Sequence, residues 1–154
     1  MKTVRYFLSY ARADIEDVTR FNGVFAPQLA TSADYKFERW MDTDILPGEK
    51  WNEQIQAAVK ECDFGLLLIS PNFLSSPYIL AHELPAFLAK PMVVPLALHP
   101  ILFNGTMDLK GLAERQIYRD PQKRSFDQCG RKHRRRAFAL DLFQKITALL
   151  RQAA

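Results

Sequence analysis

The chain has 154 residues, enough for one domain with its own core. A chain of this length buries roughly 70% of its extended surface on folding and needs no metal or disulfide staple. Its composition, 48% hydrophobic, 25% charged and 12% aromatic, excludes a disordered, collagen-like or low-complexity chain. The formal net charge of +4 is local: seven of the 21 Lys and Arg residues lie between Lys123 and Arg136, where Asp127 is the one acid, and the remainder holds 14 basic against 16 acidic residues.

Taken in chain order, Thr3–Ser9 is a β-rich run too short for a helix. Ile15, Val18, Phe21, Phe25 and Leu29 then step by three or four, which predicts an amphipathic helix capped by Asp14, with Asp17 three residues on. Lys36–Met41 alternates and ends at Asp42, a second strand. A loop follows from Asp42 to Lys50, marked by Pro47-Gly48. Trp51, Ile55, Val59 and Cys62 repeat as a second helix. Phe64–Ile69 is a continuous apolar run, as in a strand covered on both faces, and it ends at Ser70-Pro71.

A helical stretch over Pro77–Lys90 leads to a fourth strand, Met92–Leu98, where Pro95 lacks a donor and argues for an edge or a bulge. His99–Glu114 has no clear period, and Gln116–Tyr118 is a candidate short fifth strand. Phe138, Leu142, Ile146 and Leu149 form a last helix, preceded by the basic run. Alternating strands and helices imply an open parallel sheet with helices on both faces, in one domain over residues 1–154. Such folds place their sites at the carboxyl ends of the strands, here the loops after Ser9, Asp42 and Ser70.

Several functions are excluded by what these loops contain. The stretch after the first strand, SYARAD, has no glycine, so neither a dinucleotide fingerprint nor a P-loop is present. The acidic pair of a phospho-acceptor domain is missing, as is a GxSxG elbow. His82, His99 and His133 are scattered without a second ligand at helical spacing, so no metal is expected. Cys62 and Cys129 are far apart, no window reaches about 18 uninterrupted apolar residues, and the opening segment is too short for a secretion signal. A reduced, cytoplasmic chain with no membrane span is expected. The run Arg131–Arg136 has no interleaved aromatics, which argues for a solvated face or a contact to an acidic partner rather than nucleic acid.

Four segments, in order, resemble the Toll/interleukin receptor (TIR) domain family: FLSYARAD; Trp40-Met41-Asp42; Ile45-Leu46-Pro47-Gly48 with Trp51; and LLLISPNFLSSPYILAHEL. They cover residues 3–98. The resemblance implies a flavodoxin-like sheet of five parallel strands in the order 2-1-3-4-5. Its switch point sets Ser9, Tyr10 and Arg12 opposite the segment from Ser70 to Glu83. Some members of the family are adhesive signalling modules. Others, bacterial ones among them, cleave the nicotinamide–ribose bond of NAD+ with a glutamate on the third helix, which Glu83 matches. An aromatic often stands four residues before that glutamate; here Tyr78 stands five before and Leu80 three before.

The resemblance therefore implies an NAD+ glycohydrolase, with NAD+ as substrate and no cofactor, releasing nicotinamide and a linear or cyclic ADP-ribose. It implies a self-associating defence effector, joined to a sensor that is C-terminal or separate. The alternatives are an adhesive TIR scaffold and a nucleoside N-glycosidase. Glu83 is the catalytic candidate, with Ser9, Tyr10, Arg12, Asp42 and Tyr78 around the substrate. The loop residues Ile45, Leu46, Pro47 and Gly48 are candidates for contact with a neighbouring protomer.

The chemistry asks little of the protein. Nicotinamide leaves as a neutral base, and one carboxylate can stabilise the cationic ribose. With Leu80, Leu84, Phe87 and Leu88 as the buried stripe, Glu83 lies at its border and should be half-buried. Pro85 removes the intrahelical bond to the Ala81 carbonyl and predicts a kink or a late helix start. Arg12 can pair a pyrophosphate oxygen. Tyr10 and Tyr78 can stack on a base or lie as core lids. Asp42 is expected to shape its loop through bonds to backbone, Trp51 to anchor the second helix and Trp40 to pack. Asn104-Gly-Thr has the glycosylation pattern, which has no meaning in a cytoplasmic chain.

Overall fold

The central strand is the apolar run: Phe64–Ile69 is buried along its whole length, with neighbours on both edges and helices on both faces. The computed structural model describes residues 1–42 and 50–153. In chain order it has β1 (Lys2–Ser9), a 3-10 turn (Arg12–Asp14), α1 (Ile15–Leu29), β2 (Tyr35–Trp40), α2 (Trp51–Glu61), β3 (Phe64–Ile69) and α3 (Pro71–Leu74). There follow a π-helical turn (Ile79–Glu83), α4 (Leu84–Leu88), β4 (Val93–Ala97), a 3-10 turn (Leu112–Glu114) and α5 (Lys132–Ala153). The sheet is four-stranded in the order β2-β1-β3-β4, and every pairing is parallel.

Side-chain alternation on β1 and β3 splits the core into two layers. Val4, Tyr6 and Leu8, with Leu66 and Leu68, pack against α1 and α5. Phe7, Leu67 and Ile69 pack against α2, the π turn and α4. Gly65 is required by the second layer. A Cβ there would stand 2.5 Å from the Phe87 ring, which itself packs edge-on against Phe7 at 5.1 Å. No helix among the described residues is long and apolar enough to cross a membrane.

The expected fifth strand, Gln116–Tyr118, is reduced among the described residues to one isolated bridge, Leu96 to Tyr118. The reason lies in β4. The Tyr118 N–H donates to the Pro95 carbonyl at 2.8 Å, and the Ala97 N–H donates to Tyr118 at 2.9 Å. Pro95 offers no N–H, and the Ala97 carbonyl is already taken by the Phe126 N–H at 2.9 Å, so the ladder ends in both directions.

Other expectations shift locally. β2 stops at Trp40, and a single-turn α3, with Pro71 at its start, precedes the stretch read as helical from Pro77. Asp14 does not cap α1. Its carboxylate instead accepts from Asn72 Nδ2 at 2.8 Å and from the Ser70 hydroxyl. Ser70 in turn caps α3 by accepting the Phe73 N–H at 3.0 Å. Ile15 and Leu149, placed on apolar stripes, are exposed, while Val18, Phe21, Phe25 and Leu29 on α1 and Phe138, Leu142 and Ile146 on α5 are buried.

Candidate functional site

β1 and β3 are neighbours although α1, β2 and α2 lie between them in the chain, so their carboxyl ends diverge into a cleft. The cleft has a volume of about 700 Å3 and is lined by Tyr10, Arg12, Asp42, Trp51, Tyr78 and Glu83 among others. That volume is within the usual range for a small-molecule site.

Glu83 is only 7% exposed, deeper than the half-burial its place on the stripe predicted. The cause is the π-helical turn it closes. The Leu84 N–H passes over the Leu80 carbonyl and reaches Ile79, so the turn carries an extra residue. This is how the kink predicted at Pro85 is realised. The wide turn also alters the spacing argument: Tyr78, five residues before Glu83, lines the same cleft as the glutamate.

Ser9, at the tip of β1 and 1% exposed, donates its hydroxyl proton to Glu83 Oε1 at 2.8 Å. Burial raises the Glu83 carboxyl to about 7. The Ser9 bond opposes that rise, the charge of Asp42 adds to it, and Arg12 offsets it. Near neutral pH the group is thus poised between its two forms.

Asp42 is a second carboxylate in the same cleft, a feature the one-carboxylate reading lacked. It accepts from the Tyr10 hydroxyl at 2.7 Å and from Arg12 Nε at 3.3 Å, while the loop backbone it was expected to bond, residues 43–49, lies outside the described residues. Burial pushes the Tyr10 phenol far above its ordinary value, and the bond to Asp42 adds to this, so Tyr10 acts as a fixed neutral donor. The Arg12 side chain is 79% exposed and can swing towards a ligand.

Trp51 does not anchor α2 in the core: it is 48% exposed and lines the cleft. Its ring packs against Tyr78 at 4.9 Å, and Tyr78 packs against His82 at 4.8 Å, giving a row of three rings at the mouth. Tyr78 also donates its hydroxyl to Asn52 Oδ1 at 3.1 Å. Trp40 packs as expected, stacked on Phe7 at 4.7 Å.

The predicted assembly residues Ile45, Leu46, Pro47 and Gly48 lie outside the described residues. In the basic run, Arg135 turns back to donate to the Cys129 and Gly130 carbonyls at 3.0 and 3.4 Å, while Arg131, Lys132, Arg134 and Arg136 are exposed. Asn104 closes a local turn by accepting the Thr106 N–H at 3.1 Å. His99 does find acidic company: it lies with Asp17 and Asp127, their ligand atoms within 4.8 Å of one another. Asp17 is engaged there by His99 at 2.7 Å and by Arg20 at 2.6 Å. Sequence spacing gave no sign of this group, because its members come from three separate segments.

No curated protein matches the chain in sequence. A family model described as the TIR domain matches residues 7–132, from the end of β1 through the cleft and β4 to the start of α5, and the chain therefore belongs to the TIR domain family.

Proposed function

We propose that the protein is an NAD+ glycohydrolase in which Glu83 stabilises the ribosyl cation. The observation that carries this reading is a buried carboxylate, held by one hydroxyl and facing a cleft at the switch point of the sheet. The bond between the ribose C1′ and the nicotinamide nitrogen breaks with its electron pair going to nitrogen. Nicotinamide thereby leaves neutral, with no need of an acid. The positive charge left on the ribose is offset by the ionised Glu83 carboxylate, in a site where low water content strengthens the interaction. A water oxygen bonds to C1′ and gives up its proton to Glu83, yielding ADP-ribose. Attack by a ring nitrogen of the substrate's own adenine in place of water gives the cyclic product.

Within this reading the row of Trp51, Tyr78 and His82 offers ring faces to a base. Arg12 exchanges its bond to Asp42 for one to a pyrophosphate oxygen. Asp42, held by Tyr10, is available to the ribose hydroxyls. The role is that of a cytoplasmic defence or signalling effector active on self-association, so that specific activity climbs with protein concentration.

The test is release of nicotinamide from NAD+, followed by chromatography, with the full chain concentrated on beads or under crowding. Wild type releases nicotinamide and Glu83→Ala does not. Turnover that survives Glu83→Ala refutes the assignment. A complete lack of turnover by the assembled wild type leaves the adhesive reading.

A further inference from the structure

The start of α5 gathers cations that nothing nearby neutralises. Arg131, Lys132, Arg134 and Arg136 are exposed and in no ion pair among the described residues. Lys123 is also exposed and in no ion pair among them. The turn that carries it lies against the same place, since Cys129, just before the helix, has its Sγ 3.7 Å from Asp120. The acids nearest in the chain are engaged elsewhere. Asp120 is buried and holds Arg124 at 2.6 Å, Asp141 holds Lys145 and the Tyr118 hydroxyl, and Asp127 lies in the His99 group.

This arrangement is unfavourable for the free chain. Like charges repel across one turn, and they stand at the positive end of the α5 dipole, whose first turn holds no acid to relieve them. Arg135 turns inward to the Cys129 and Gly130 carbonyls, which fixes the backbone that presents the others. An anionic surface laid over the patch removes both costs.

The shape of the patch decides which anionic surface. Phe138, Ala139, Leu142 and Ile146 of α5 are buried, and His133, Ala137 and Leu140 follow one another at helical spacing along the opposite, exposed side. Leu140 is 53% exposed. Helical spacing sets Lys132 and Arg136 on one flank of that line and Arg134 on the other. A convex helix face encloses no small ligand and meets something broad. A nucleic-acid backbone would answer the cations but not Leu140, and the run holds no aromatic between its cations for a base to stack on. A bilayer surface answers both. Its headgroups pair with the cations, whose long stems let the charged ends reach outward around a leucine lowered to the acyl boundary.

We infer that the amino end of α5 docks on the surface of an anionic lipid bilayer, with Leu140 entering the headgroup region and the cations around it holding the lipid charges. The contact is peripheral, and it stands whether or not the chain cleaves NAD+.

The test is cosedimentation of the full chain with vesicles of phosphatidylcholine alone, or with phosphatidylserine as about a third of the lipid. Binding is expected with the serine lipid only, and it should fall about tenfold or more between about 0.1 and 0.5 M salt as screening shortens. Each basic residue at such a surface contributes about fivefold to partition, so Lys132→Gln with Arg134→Gln should weaken binding by about twenty-five-fold. Leu140→Ser should weaken it by about threefold or more. All three positions are exposed, and circular dichroism verifies that the variants fold. Five results each overturn the inference: no binding to the anionic vesicles, equal binding to the neutral ones, partition unmoved by the paired substitution, partition unmoved by Leu140→Ser, or tighter binding to duplex DNA or polyglutamate at matched charge.

Discussion

Replacing Ser9 with alanine removes the one hydrogen bond given to Glu83 among the described residues and should move the pH dependence of the proposed NAD+ cleavage in a predictable direction. In the proposed reaction the ionised carboxylate is the working form, and burial already holds its pKa at about 7. The Ser9 hydroxyl, 2.8 Å away, favours that ionised form. A hydrogen bond to a charged acceptor contributes about 1.5–3 kcal/mol. Water entering the small space left by the hydroxyl recovers part of this, leaving roughly 1.4 kcal/mol, or one pKa unit. The midpoint then moves from about 7 to about 8. At pH 7 the ionised fraction falls from about half to about a tenth, so kcat/KM drops about fivefold, while above about pH 9 the two proteins converge. The assay is kcat/KM for NAD+ from about pH 5.5 to 9.5. A uniform loss with an unmoved midpoint, or a midpoint displaced downward, would show that Ser9 does not act through the Glu83 charge.

The same carboxyl links stability to pH. Its folded-state value is raised from 4.5 to about 7, so the native state holds the proton more tightly than the unfolded chain does. The cost of ionising it is absent below pH 4.5, builds up to about pH 7 and persists above, reaching on the order of 3 kcal/mol. Glu83→Gln should therefore be more stable than wild type in denaturant melts at pH 8, with the gap closing towards pH 4.5; an equal gap at both contradicts the linkage. Gly65→Ala forces a methyl into the Phe87 ring and should cost about 1–3 kcal/mol, read as a lower urea midpoint with an unchanged slope. Arg12→Ala breaks only an exposed ion pair and should leave stability within about 0.5 kcal/mol. It should raise KM for NAD+ more than it lowers kcat, and a pure kcat effect would contradict a pyrophosphate contact.

The strands and long helices were legible because burial imposes a period on them. Phe64–Ile69 reads as a strand covered on both faces, and it is the fully buried centre of the sheet. The stripes of α1 and α5 read correctly at the residues that are buried, and fail at Ile15 and Leu149, near the helix ends, which are exposed. Gln116–Tyr118 has strand composition, but its pairing is decided by Pro95 and by the bond from Phe126 to Ala97, neither of which local pattern can rank. The residue types of the candidate cleft were legible in the sequence, and their hydrogen-bond partners were not. Ser9, Tyr10, Arg12, Asp42, Tyr78 and Glu83 do converge at one cleft. That Asp42 answers to Tyr10, and that Trp51 lines the mouth, depends on how β2 and α2 sit beside β1, information with no period in the chain.

The spacing of Tyr78 and Glu83 shows the same limit from the other side. In a regular α-helix, residues five apart are about 140° out of line and cannot share one wall. Read that way, an aromatic five before the glutamate is out of place. The π-helical turn absorbs the extra residue, and both side chains reach the cleft. Such turns break the regular helical bond pattern and tend to occur where function holds them. The glutamate carries a similar mark. A buried carboxylate with one serine donor is a poorer core residue than glutamine or leucine would be in the same space. An adhesive module gains nothing from it, since at 7% exposure Glu83 offers almost no surface to a partner. Two local rules are thus broken at one spot, and the catalytic reading accounts for both. A stabilised Glu83→Gln protein that still assembled but no longer released nicotinamide would separate the two roles.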